Sequence, residues 1–402
     1  MRERLLNQAL ATIKHSPRVC LQLATGTGKS RIAIEMVKFI TKEESINKDI
    51  KVLLVVAETA HKLNWKQEFD KWGYDTNTIK TAVICYASLK NYVKTNWDII
   101  IFDEVHHLCS DIRLNILQTI KSKYHILLSA TLSWKKKDAI ANIIGNIETI
   151  NFSLNKAIEN EVLPEPKIKL IPLKLNNTKR TEIIEEKYTR VKGKPHYTFK
   201  CNINDRFKYL NTYSNVILKM YCTQQEKYDY YCDQIDYWQN RYYRENLAWQ
   251  KFKWLQYANK RKIFLGESKT EAAKLLLSTL LQKRLICFCT NIEQAEKLDS
   301  NNCIHSKKNK SIDIINKFNN KKINRLFAIK MLQEGQNLTD IEIGIIIQLD
   351  GQDLSFIQRV GRVLRAKNPI QYIFYYPNTR DEEYLNTVLK DINPEYISTI
   401  IL

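Results

Sequence analysis

A short glycine-rich loop set between an apolar run and a helical pattern constrains this chain more than any other feature. Val19-Cys20-Leu21-Gln22-Leu23 leads into Ala24-Thr25-Gly26-Thr27-Gly28-Lys29-Ser30, and Arg31-Ile32-Ala33-Ile34-Glu35-Met36-Val37 follows. A strand that passes through such a loop into a helix forms a phosphate cradle. Glycines let successive backbone N–H groups curl around an anion, and the helix N-terminus adds its positive end. Thr25, Gly26, Thr27 and Gly28 would wrap a polyphosphate, with Lys29 on its β- and γ-phosphates and Ser30 on Mg²⁺. Such a unit needs a parallel sheet around it. Apolar strands at 19–23, 52–56, 82–86, 98–102 and 125–129 alternate with helices near 29–42, 61–72, 111–121 and 135–144. The alternation predicts an α/β, doubly wound sheet over the first 150 or so residues.

Two further clusters carry chemistry. Asp98-Ile99-Ile100-Ile101-Phe102 reads as a buried strand and ends in Asp103-Glu104-Val105-His106. A strand that delivers an acid to the carboxyl edge of a parallel sheet places it beside a bound nucleotide. Asp103 would bind Mg²⁺ through its water shell, and Glu104 would orient or deprotonate the attacking water. Near the C-terminus, Gln358-Arg359-Val360-Gly361-Arg362-Val363-Leu364-Arg365 puts Gln358, Arg362 and Arg365 at i, i+4 and i+7, on one helix face. Two guanidiniums on one face can clamp a γ-phosphate.

The charge points to a polyanion. Lys and Arg number 63 against 43 Asp and Glu, a formal net charge of +20, and binding a polyanion releases condensed counterions. The nine cysteines show neither a disulfide framework nor zinc-like spacing, which fits a reducing compartment. No stretch approaches the roughly 20 apolar residues of a membrane span. Met1-Arg2-Glu3-Arg4 is not followed by an apolar signal core. A cytoplasmic protein with no membrane partner is expected, in a bacterial or phage-infected cell.

Residues 1–152 form the first expected domain and 153–177 a linker, with an extended segment at 167–175 after the break at Leu163-Pro164-Glu165-Pro166. Residues 178–262 hold twelve tyrosines and three tryptophans, and no Gly or Pro occurs between Pro195 and Gly266. They are expected to be mostly helical, as a hairpin or bundle. Here aromatic and basic residues interleave, as in Trp238-Gln239-Asn240-Arg241-Tyr242-Tyr243-Arg244. The aromatics could stack on exposed bases or form the bundle's own core. A second β/α unit runs over 263–376, with strands at 285–289, 325–329, 343–349 and 371–376. A C-terminal extension, 377–402, carries one helix.

Taken in order, these motifs resemble those of the superfamily 2 helicases, DExH branch. Ala24–Ser30 resembles motif I, Asp103–His106 motif II, Ser129-Ala130-Thr131 motif III and Gln358–Arg365 motif VI. Arg4 and Gln8 resemble the adenine-reading Q motif. Ala57-Glu58-Thr59-Ala60, with Leu63-Asn64-Trp65 and Glu68 behind it, resembles motif Ia. Cys287–Asn291 resembles motif IV, and Glu334-Gly335-Gln336-Asn337-Leu338 motif V. The resemblance implies two RecA-like domains with ATP and Mg²⁺ between them. It implies adenine recognition by Gln8, nucleotide contact by Gly335, and coupling of nucleotide state to nucleic-acid grip by His106, Ser129 and Thr131. Phosphate-backbone contacts fall to Thr59, Ala60 and Thr290, while Gln358, Arg362 and Arg365 reach across to the ATP.

The Asp-Glu-Val-His and Arg-Val-Gly-Arg sequences are similar to the DNA-directed branch, which holds the phage UvsW-type recombination helicases, the XPB-like group and the Swi/Snf-like translocases. An ATP-dependent DNA helicase or translocase is expected, a monomer that works with recombination or replication proteins. An RNA-directed ATPase, the motor of a restriction system and a non-catalytic DNA-binding scaffold remain alternatives.

Overall fold

The apolar runs become strands because every residue in them has a buried face to fill. In β2 (Ile50–Val56), Val52, Leu54 and Val56 enter one core while Leu53 and Val55 enter the core on the other face. The computed structural model describes residues 1–44, 49–76, 78–305, 311–329, 338, 340–350, 363, 366–390 and 392–402.

The first domain runs α1 (Arg2–His15), β1 (Arg18–Leu23), α2 (Lys29–Glu44), β2, α3 (Thr59–Lys71), β3 (Ile79–Cys85), β4 (Asn96–Phe102), α4 (Asp111–Leu117), β5 (Lys121–Ser129), α5 (Trp134–Ile144), β6 (Glu148–Phe152) and α6 (Leu154–Glu159). Its strands form one parallel sheet in the order β3-β2-β4-β5-β1-β6. Strand β6 was not expected from the sequence. Its Glu-Thr-Ile-Asn-Phe is half polar because it lies at the sheet edge, beside β1 alone.

The chain then enters a second sheet through β7 (Lys167–Pro172). This corrects the expected linker. The extended segment is a strand, paired parallel on both sides inside the second domain. A subsidiary unit follows, with β8 (Glu182–Thr189), β9 (Tyr197–Asn202), α7 (Arg206–Thr212) and β10 (Asn215–Cys222). These strands form a three-stranded sheet, β8-β10-β9. The expectation of a mostly helical 178–262 is therefore corrected for its first half. Strand β10 alternates inward Val216, Leu218 and Met220 with more exposed neighbours, a period-two pattern that overrides the missing Gly and Pro. The long helices lie in the second half, as the hairpin α8 (Gln224–Glu245) and α9 (Ala248–Glu267). Thr223 and Glu226 close a reciprocal capping box at its start, which satisfies two backbone donors at once.

The second sheet is completed by α10 (Thr270–Thr279), β11 (Leu285–Phe288), α11 (Ile292–Asp299), β12 (Cys303–Ile304), α12 (Ser311–Asn319), β13 (Arg325–Ala328), β14 (Ile343–Ile346), β15 (Ile370–Tyr375), α13 (Arg380–Leu389) and β16 (Ile397–Thr399). Its order is β12-β13-β11-β14-β15-β7-β16, parallel throughout. The chain is thus α/β with two parallel-sheet domains. Among the described residues no helix is long and apolar enough to cross a membrane. No disulfide joins any of the nine cysteines, all of which lie among the described residues.

Candidate nucleotide site

The site is assembled at the carboxyl edge of the first sheet, where β4, β5 and β1 lie side by side. Strand β1 feeds the glycine-rich loop and β4 ends at Asp103. The third, β5, lies between them and ends in Ser129, level with Gln22 of β1. Two strand spacings put the ends of β1 and β4 about 10 Å apart, a gap that a nucleotide triphosphate can bridge.

The loop takes a conformation only glycine adopts cheaply at two points. Gly26 has φ +88° and Gly28 φ +99°, a region closed to most side chains. Among the described residues nothing lies within 4 Å of a Cβ built on Gly28, which leaves room there for a ligand. Buried Thr27 bonds back to the Ala24 carbonyl at 2.7 Å and fixes the turn. The hydroxyl of Thr25 is buried and has no hydrogen-bond partner among the described residues, a donor waiting for an acceptor. Lys29 opens α2, and its ammonium donates to the Leu23 carbonyl at 3.0 Å across the mouth of the loop. Ser30 follows on the same first turn, half-buried. These groups fit a polyphosphate.

The acids are held by a different set of groups. Trp65 on α3 donates its indole N–H to Asp103 Oδ2 at 2.8 Å, and the backbone N–H of Glu104 donates to Oδ1 at 3.0 Å. His61 lies 4.0 Å from Oδ2. Tyr86 donates to the Asp103 carbonyl at 3.0 Å. Burial, with Asp103 and Glu104 nearby, pushes its phenol well above the ordinary range, so it remains a donor. Glu104 stands in the left-handed region, φ +47° and ψ +57°, a costly conformation for a side-chain-bearing residue. It turns the chain away from the sheet directly after the strand. His106 Nδ1 lies 3.5 Å from Glu104 Oε2, and Ser129 donates to the Thr131 carbonyl at 2.6 Å. The coupling residues expected from sequence therefore sit beside the acids and between the two strand ends.

Other expected residues lie further off. Gln8 is exposed on α1, which packs against α2. Thr59 and Ala60 begin α3, with Thr59 exposed at the sheet edge and Ala60 half-buried. Thr290 follows β11 in the second sheet, its hydroxyl buried against Gly266 of α9. Gln358, Arg362, Arg365, Gly335 and Asn337 lie outside the described residues. Sequence reading missed the part of Trp65, His61 and Tyr86 around Asp103. A buried tryptophan six residues into a helix otherwise reads as core, and only the strand register brings it to the acid.

Comparison with known proteins agrees with this geometry. The family model for the type III restriction enzyme res subunit matches residues 1–133, and that for the helicase conserved C-terminal domain matches 268–367. Together they cover more than half of the chain and one model falls in each parallel-sheet domain. The DNA 3'-5' translocase XPB2 of Sulfurisphaera tokodaii is 22% identical over 374 residues, 87% of this chain and 75% of the relative. Two solved structures share the fold. A fragment of a putative HsdR subunit of a type I restriction enzyme from Vibrio vulnificus has a TM-score of 0.58 at 14% identity, over 100% of this chain and 68% of that one. S. cerevisiae Dbp5 bound to RNA and ADP BeF3 has a TM-score of 0.57 at 14% identity, over 99% and 89%. With the phosphate loop and paired acids on one sheet and the helicase C-terminal domain on the other, the chain belongs to the superfamily 2 helicases, an ATP-hydrolysing family of motors.

Proposed function

We propose that the chain is an ATP-dependent DNA helicase or translocase that couples hydrolysis to movement on, or remodelling of, duplex or branched DNA. The observation that carries it is the alignment to a DNA translocase over 87% of the chain, through both motor domains, joined to a complete phosphate loop and acid pair. In this reading Thr25–Ser30 take the phosphates of ATP, Gln8 its adenine, and Ser30 and Asp103 hold Mg²⁺, which neutralises charge on the transferred phosphoryl group. Glu104 orients the water and receives its proton. Trp65 and the Glu104 N–H fix the orientation of the Asp103 carboxylate, the group that would hold the metal. Gln358, Arg362, Arg365 and Gly335 complete the site from the second domain. Thr59 and Ala60 serve the nucleic-acid backbone, whereas Thr290, with its hydroxyl buried against Gly266 and its N–H bonded to Gln294, steadies the loop after β11; His106, Ser129 and Thr131 relay nucleotide state to that grip. Recombination or replication proteins are the proposed partners.

The helical hairpin supports an added nucleic-acid contact. Near its root Tyr230, Tyr231, Tyr257 and Phe264 are buried in the unit's own core. At its tip Tyr243 is 69% and Phe252 66% exposed, among Arg241, Arg244, Lys251 and Lys253. In this reading the aromatics at the root serve the unit's own core, and the exposed ones at the tip offer a surface on which bases could stack.

The test is steady-state ATP hydrolysis with no nucleic acid, single-stranded DNA, duplex, a four-way junction and RNA, beside Lys29→Ala. Stimulation by duplex or junction, reduced at least about 100-fold in the variant as for loss of a charge-stabilising donor, is expected. Stimulation by RNA alone would transfer the chain to the RNA-directed motors. Absence of hydrolysis under every condition would leave a scaffold.

A further inference from the structure

Away from the nucleotide site, α11 and β12 bring a carboxylate, a thiol and an imidazole together at the outer edge of the second sheet. Glu296 lies on α11. Cys303 and His305 alternate along β12 and just past its end, so both face one side of the strand. One donor atom from each of the three residues lies within 4.8 Å of the others. Cys303 is fully buried, His305 is 8% exposed and Glu296 stands at the solvent rim. Both ring nitrogens of His305 are enclosed with no hydrogen-bond partner among the described residues, and Nε2 sits 3.6 Å from Glu296 Oε1. A buried imidazole that satisfies neither nitrogen is missing a ligand.

We propose that Glu296, Cys303 and His305 bind a zinc ion. Zinc takes sulfur at about 2.3 Å and nitrogen or oxygen at about 2.0–2.2 Å in a tetrahedron. Donors around such an ion are therefore roughly 3.5 Å apart, so this set closes on it by about 1 Å of movement. A mixed sulfur, nitrogen and oxygen set selects zinc over magnesium or calcium, which take oxygen ligands. Glu296 at the rim leaves the fourth position to water.

The Cys303 thiol donates to the Ser300 carbonyl at 3.5 Å. Binding breaks the S–H bond and forms Zn–S, releasing one proton to solvent. The imidazole binds neutral and the carboxylate binds ionised, so no oxidant or reductant is required. The ion would pin α11 to the edge strand. Gln294 on the same helix accepts from the Thr290 N–H at 2.8 Å and donates to the Gly266 carbonyl at 2.7 Å, so that pin also steadies the loop after β11. Cys-x-His with a glutamate seven residues upstream is no recognised zinc spacing, which is why the sequence shows none.

The full chain, stripped with a chelator and dialysed, would be titrated with Zn²⁺ against a chromophoric competitor, and separately with Co²⁺. One equivalent of zinc, about one proton released per ion, and a sulfur-to-cobalt charge-transfer band are expected. Cys303→Ser should abolish that band. Because Cys303 is buried and its replacement can disturb folding, the exposed Glu296→Gln is the second variant. It should weaken zinc at least about tenfold and remove the zinc-dependent rise in Tm. Absence of stoichiometric binding to the wild-type chain, or unchanged affinity in Glu296→Gln and His305→Gln, would overturn the proposal.

Discussion

Trp65 connects a helix to Asp103, the acid proposed to hold Mg²⁺, through one hydrogen bond, and it should be felt in metal dependence. A hydrogen bond to a charged acceptor contributes about 1.5–3 kcal/mol, so Trp65→Phe should raise the Mg²⁺ concentration for half-maximal ATP hydrolysis by about tenfold or more. An unchanged Mg²⁺ dependence would remove Trp65 from the site. His125 gives a second residue-scale outcome. The parallel register sets it directly opposite Arg18, and burial first, then the guanidinium, lowers its pKa from 6.5 to about 4. Between those values the unfolded chain binds a proton that the native chain excludes. Stability is therefore full above pH 6.5 and falls toward pH 4, by about 1.4 kcal/mol per pH unit. Denaturant unfolding at pH 7, 5.5 and 4 should show a flatter profile for His125→Leu than for the wild type. The glycines, Lys29 and the acids were legible in the sequence because their chemistry is carried by residue type and spacing. Arg18 beside His125 was not, because only the pairing of β1 with β5 brings them together.

At the scale of elements, α9 is locked to the loop after β11 by the absence of a side chain. A Cβ on Gly266 would lie 1.9 Å from Thr290 Oγ1 and 2.7 Å from its Cγ2. Gly266→Ala should destabilise the chain by about 1–3 kcal/mol through overpacking, read as a lowered Tm. Thr290→Ala in the same chain should restore part of the loss, since it removes both of those atoms. Additive losses in the double variant would show that the two positions do not touch. The central strands were readable because they are apolar on both faces. The edge strand β6 and the subsidiary strands β8 and β9 were not. Their outward residues are polar and mimic loop or helix surface, as in Glu182–Thr189, where Glu185 and Lys187 are exposed. The hairpin was readable from its long run without helix breakers.

Across the whole molecule, a buried ion pair gathers three parts of the second domain. Lys269 at the start of α10 meets Asp381 of α13 at 2.5 Å and the Gln348 side chain past β14 at 2.8 Å, with almost no exposure. Gln348 in turn donates to Asp381 at 2.6 Å. Desolvation lowers the Lys269 pKa, so it is the network, not the lysine alone, that makes the charge tolerable. The position of β7 has a further consequence. The chain commits to the second sheet at Lys167 before it leaves for β8–β10 and the hairpin, and it returns to the same domain at α10. The excursion is a closed detour whose two feet stand on one domain, and among the described elements the chain crosses from the first sheet to the second once, between α6 and β7. Were the two halves to turn against each other, the hairpin would travel with the second, because both ends of the detour are fixed there, and its aromatic tip would cover the greatest distance.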